Sequence, residues 1–247
     1  MAQEVQDKFT VAVAYNNIAD LFEEQGQIKT ALDYYHRSLK IREEIQDKYG
    51  IANSLNNIGC IYDTQGQLTD ALDNYMRSLK LMEDIMDKQG IATALNNIGT
   101  VYQRQGKNKQ ALEYYNRSFE IGQKIQDKKT IAGILNNCAF IYLNDAELLT
   151  QQGASWDSTN MLYEEAVNNC QRALKINEEI QDKEGITFSL FNIGSSLLKQ
   201  RKNRAAKLYA DSSLSIAKQG GYAEHIKKAE LLLTGVDSSL QNYLGAY

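Results

Sequence analysis

The sequence contains no proline, a single tryptophan, two histidines and three cysteines among its 247 residues. Without proline, the punctuation of its secondary structure has to come from other residues. His36 and His225 are too few, and Cys60, Cys138 and Cys170 too widely spaced, to build a structural zinc site. An odd number of cysteines gives no disulfide framework and favours a reducing, cytoplasmic compartment. No apolar run approaches the roughly 18 residues of a membrane span. The opening M-A-Q-E-V-Q-D-K has neither the basic nor the apolar region of a signal peptide. Lysine and arginine are interspersed with acids at a net charge of −4, so the electrostatic footprint of a nucleic-acid binder is missing. Neither histidine has a serine or cysteine and an acid at triad spacing, and no phosphate-cradling glycine loop follows a strand pattern. Those absences predict a protein that is not an enzyme, holds no cofactor and does not enter a membrane.

What is present is repetition. L-N-N-I-G-C-I-Y-D-T-Q-G at Leu55–Gly66 returns as L-N-N-I-G-T-V-Y-Q-R-Q-G at Leu95–Gly106. Asp-Lys recurs from Asp47, Asp87, Asp127 and Asp182, with a partial copy at Asp7, and paired asparagines begin at Asn16, Asn56, Asn96 and Asn136. The period is 40 except once, where 15 extra residues enter between Tyr142 and Ala166. Within a repeat the spacing is helical twice over: Ile51, Leu55, Ile58 and Tyr62 form one apolar stripe, and Ala71, Leu72, Tyr75, Leu79 and Met82 a second. Gly66, with Gly26 and Gly106, suits the end of the first helix, and Asp47 and its equivalents suit the cap of the next.

Leu55, Ile58-Gly59, Tyr62, Gly66, Ala71, Tyr75 and Ser78, repeated at Leu95, Ile98-Gly99, Tyr102, Gly106, Ala111, Tyr115 and Ser118, resemble the tetratricopeptide repeat family. The departures are the 40-residue period, in place of the family's 34, and the missing proline. The resemblance implies an all-α fold, an alpha-alpha superhelix (solenoid) of stacked antiparallel helix pairs with a concave surface lined by first helices. The expected layout is a single array over residues 1–247. Residues 1–10 are the tail of a preceding unit, and the repeats are 11–50, 51–90, 91–130, 131–185 with the insertion near 143–165, and 186–225. Residues 226–247 form a truncated sixth unit in which Gln241 aligns with Gly66 and Ala246 with Ala71. Both ends look cut, which predicts a piece of a longer repeat protein.

Family geometry places Asn16, Asn56, Asn96 and Asn136 on the groove, where an amide offers donors and an acceptor to a peptide backbone. Asn57, Asn97, Asn137 and Asn192 are expected to bond backbone or loop groups between units. Further groove candidates are Asp20, Glu23 and Glu24, Asp63, Gln103 and Arg104, and Lys199, a series running from acidic to basic. Phe191 replaces the groove asparagine in the fifth repeat and predicts an aromatic surface there. Trp156, in the insertion, is expected to pack inward beside a loop of Gly153 to Asn160, or else to contact a partner. The lysines of the carboxylate clamp of chaperone-binding relatives are absent. D-K-x-G-I-A-x-x-L-N-N-I-G is similar to repeat regions of bacterial signalling proteins and to peptide-binding adaptors. The expected partner is therefore a protein or extended peptide, with homo-oligomerisation through the end faces as the alternative.

Overall fold

The computed structural model describes residues 2–244, and these form eleven α-helices in two compact units, one up to Ile125 and one from Gln126 onward. The first unit holds α1 (Ala2–Glu24), α2 (Ile28–Glu44), α3 (Lys48–Thr64), α4 (Leu68–Asp84), α5 (Lys88–Arg104) and α6 (Asn108–Ile125). The second holds α7 (Lys128–Gln151), α8 (Trp156–Glu179), α9 (Lys183–Lys199), α10 (Asn203–Gly220) and α11 (Ala223–Leu244). Helices α2 to α5 are each 17 residues long and are separated by three-residue connectors, which accounts for the period of 40.

The two connectors of a repeat are built differently. After α1, α3, α5 and α7 the chain reverses at a glycine, as at Gly66, where φ is +76°, a region in which a side chain costs about 1–2 kcal/mol, and after α9 Arg201 takes the same left-handed conformation at φ +59°. Ahead of α3, α5, α7 and α9 an aspartate caps the exposed N–H groups. Asp47 accepts from the Gly50 N–H at 3.0 Å, Asp87 from Gln89 at 3.1 Å, Asp127 from Thr130 at 3.1 Å and Asp182 from Gly185 at 3.0 Å.

Within a repeat, small residues let the two helices touch. A Cβ at Gly59 would lie 2.7 Å from the Tyr75 ring, and one at Gly99 2.7 Å from the Tyr115 ring. Serine at the next small position donates to the first helix's backbone: Ser38 to Ala12, Ser78 to Ala52, Ser118 to Ala92 and Ser213 to Thr187, at 2.6–3.0 Å. Tyr35, Tyr75, Tyr115, Leu55, Ile58, Leu95 and Ile98 are buried in the core of the first unit. In the second unit Ala139, Tyr163, Ala166, Cys170, Ile193 and Val236 take this role.

Three features differ from expectation. Helix α1 runs without a turn through Asp7, so the segment before residue 10 continues straight into the first repeat. The insertion adds seven residues each to α7 and α8 and one to their connector, so residues 157–160 are helical and not a loop. The helix begins there because Gly153, at φ +80°, turns the chain and Ser155 caps the N–H of Ser158. Trp156 is consequently the first residue of α8 and half exposed instead of packed inward. At the other end α11 passes through Gln241 to Leu244, while Ala246, expected to open a further helix, lies outside the described residues.

Candidate peptide-binding surface

The paired asparagines form a ladder. Asn97 donates through Nδ2 to Asn56 Oδ1 at 2.8 Å, and Asn57 donates to Asn16 Oδ1 at 3.5 Å. The second asparagine of one repeat thus bonds the first asparagine of the repeat before it, not the backbone or loop groups expected for it. This fixes the orientation of the first amide. The Oδ1 of Asn56 is occupied, and its Nδ2 is left with the Cys60 sulfur at 4.0 Å, a weak acceptor. Asn16 turns its Nδ2 toward Asp20 at 3.4 Å. Asn96 occupies the same half-buried position one repeat later, and a shallow cavity of about 300 Å³ opens beside Asn53 and Asn56.

The charged candidates are engaged with one another and with the core tyrosines. The Tyr35 hydroxyl lies 2.5 Å from Asp20 and 2.8 Å from Glu23. Burial first, and then those two carboxylates, push this phenol well above tyrosine's usual range. In the third repeat the Tyr115 hydroxyl donates to Gln103 at 2.6 Å and lies 3.1 Å from Thr100. Arg104 pairs with Asp63 at 2.5 Å and also reaches the Asp63 carbonyl. Lys199 pairs with Glu147 at 2.6 Å. Asp20 and Glu23 thus face a core tyrosine hydroxyl, while Asp63, Arg104 and Lys199 are held in ion pairs.

The second unit departs from the asparagine pattern. Asn136 is buried and bonded to Ser189, with Nδ2 to Oγ at 3.1 Å, so it does not join the exposed amides. Asn192 is buried too, and its Nδ2 has no hydrogen-bond partner in the structure. Phe191 packs half-buried on the core of this unit. Phe140 and Leu148 on α7 and Leu231 on α11 are exposed apolar side chains of this unit. Sequence reading missed these, although Phe140 stands at the repeat position of Cys60 and Thr100 and was legible by alignment.

Among the described residues no group of histidine, cysteine and acid side chains is placed to hold a metal ion, and no helix is long and apolar enough to cross a membrane. Burial raises the Cys60 thiol, partly offset by a hydrogen bond from Tyr75, and burial raises Cys138 and Cys170 to about 12.

Helix pairs stacked through glycine, alanine and tyrosine contacts, with first helices bonded repeat to repeat, define a helical-repeat scaffold. The model of the tetratricopeptide repeat family matches residues 10–84 and 90–147, more than half of the chain, and the protein belongs to that family. No catalytic family is indicated. The search of curated proteins finds no match. Among solved structures, apo RapI superposes with a TM-score of 0.73 at 18% identity, covering 95% of this chain and 83% of RapI. A Rap protein complexed with competence and sporulation factor gives 0.73 at 15% identity, over 92% of this chain and 63% of that one. The tetratricopeptide repeat sensor protein PH0952 of the STAND class, from Pyrococcus horikoshii, gives 0.71 at 18% identity, over 93% of this chain and 33% of that one. At these identities the likeness is one of fold.

Proposed function

We propose that the protein is a noncatalytic scaffold that binds an extended peptide or protein segment along its first helices, as the interaction or sensory region of a signalling protein. The observation that carries this is the ladder bond from Asn97 to Asn56. It uses the amide oxygen and leaves an N–H donor on the surface, the group that recognises a peptide carbonyl without regard to side chain. The Rap protein whose structure holds a bound factor, and the sensor role named for PH0952, support the reading by shared fold.

The test separates the amide's two jobs. Asn56→Asp with Asn96→Asp keeps an acceptor at both positions and removes the donors. Extended peptides enriched from a random display library on the native protein are expected to bind this double variant at least ~10-fold more weakly, about one charge-assisted or buried hydrogen bond per site. Unchanged affinity, with an unchanged urea midpoint, sinks the groove assignment.

A second reading rests on α1. Leu21 is 57% exposed, whereas Ile61 and Val101 at the same repeat position are fully buried, so this end of the stack presents an apolar face suited to another copy of the chain. Sedimentation is then expected to show concentration-dependent dimers that Leu21→Lys abolishes, and a monomer at every concentration removes the reading.

A further inference from the structure

A cavity of about 410 Å³ lies in the second unit among α7, α9 and α11. One of its lining residues is Gly133, in the second turn of α7, and nothing lies within 4 Å of where its Cβ would be. Glycine inside a helix destabilises it relative to alanine. At Gly59 and Gly99 a tyrosine ring resting on the helix explains that cost, and at Gly133 no packing partner does. The wall opposite is aromatic: Phe188 and His225 meet edge to face at 6.1 Å and 82°. The polar side is a network of largely buried groups in which Asn177 Oδ1 accepts no hydrogen bond from any described residue. Asn136 and Asn177 both donate to Ser189 Oγ, at 3.1 and 3.3 Å, and both amides line the cavity.

We infer that this cavity is an anchor subsite for a tyrosine side chain of a peptide lying along the first helices of the second unit, its ring on the α7 backbone at Gly133 and its hydroxyl at the Asn136 and Asn177 amides. The inference rests on the peptide-binding reading above and narrows it to a residue class. The molecule supplies the precedent. Twice it seats its own tyrosine on a helical glycine, and Tyr115 then hydrogen-bonds through its hydroxyl to polar groups of the same first helix. A flat ring suits a bare backbone and an edge-to-face wall, and a hydroxyl, both donor and acceptor, suits an amide-lined floor. A charged side chain fits less well, because Lys228 at the rim is already paired with Glu224 at 2.7 Å and the remaining charges are of both signs.

The probe is N-acetyl-L-tyrosinamide, titrated into the full chain and followed by backbone amide chemical shifts. Saturable shifts are expected at Gly133 and Phe188, with the phenylalanine and lysine amides binding more weakly. Gly133→Leu fills the space and is expected to weaken the tyrosine amide at least ~10-fold, while its melting temperature stays at or above that of the native protein. Three results overturn the inference: no saturable shift, equal affinity in Gly133→Leu, or equal affinity for the phenylalanine amide. Library peptides that keep binding Gly133→Leu but lose Asn56→Asp/Asn96→Asp would defeat this subsite and leave the scaffold reading intact. Tyrosine amide binding without any library peptide would do the reverse.

Discussion

Gly99→Leu is expected to destabilise the first unit by more than about 3 kcal/mol, the upper range for overpacking a tight core. A Cβ there would sit 2.7 Å from two atoms of the Tyr115 ring and 3.3 Å from the Ala111 carbonyl oxygen, and three further carbons would follow it. Neither neighbour has room to give. Tyr115 is fully buried and tied by its hydroxyl to Gln103 at 2.6 Å, and the Ala111 oxygen belongs to the backbone of α6. Helix propensity favours leucine over glycine by only about 1 kcal/mol, so sterics decide the sign. Gly133→Leu makes the same chemical change on a first helix where nothing lies within 4 Å, and is expected to be neutral or stabilising. Urea midpoints of the two variants, compared with the native protein, check the contrast. Similar midpoints for both would mean that close helix approach at Gly99 is not what holds the repeat together.

That contrast also shows how far the sequence was legible. Period, helix pairs and caps follow from local rules, since an aspartate before a helix and a glycine after it act on their own backbone within a few residues. Gly59 against Tyr75 recurs as Gly99 against Tyr115 at the same offset, whereas the first and fourth repeats carry Ala19 and Ala139 in place of the glycine and the fifth carries Ala210 in place of the tyrosine. Side-chain partners between repeats were not read. Asn97 with Asn56, Asn57 with Asn16 and Arg104 with Asp63 are each 41 residues apart, one more than the period. Stacked first helices meet at that offset, so the pairing was present in the sequence, but only a periodicity-plus-one comparison would have revealed it. Asn136 was misplaced for a different reason. Ser189, 53 residues later, stands where Ser54 and Ala94 stand in earlier repeats, and it competes for the amide. The insertion was misjudged at its tip because Ser155 is a helix cap that a loop-like composition around Gly153 concealed.

Alkaline pH is expected to destabilise the protein progressively between about pH 9 and 12, and the buried thiols are one reason. Cys138 and Cys170 lie in the core of the second unit, and burial raises both from the ordinary thiol value to about 12. The folded state therefore keeps two protons that the unfolded chain releases near pH 8.5–9. This contribution is fully present below that pH and is lost as pH rises through 12. At pH 11 each thiol is expected to cost roughly 2–3 kcal/mol relative to pH 8, together a large share of the ~5–15 kcal/mol typical of a folded domain. Tyr35 and Tyr75, whose hydroxyls are also raised by burial, add to the loss above pH 10 in the first unit. Cys138→Val with Cys170→Ala removes both protons from the balance. The double variant is expected to start from a lower midpoint at pH 8, because one change overpacks the core and the other removes a buried sulfur, and yet to fall less steeply between pH 8 and 11. Parallel declines of variant and native protein would show that the thiols are not the groups that titrate.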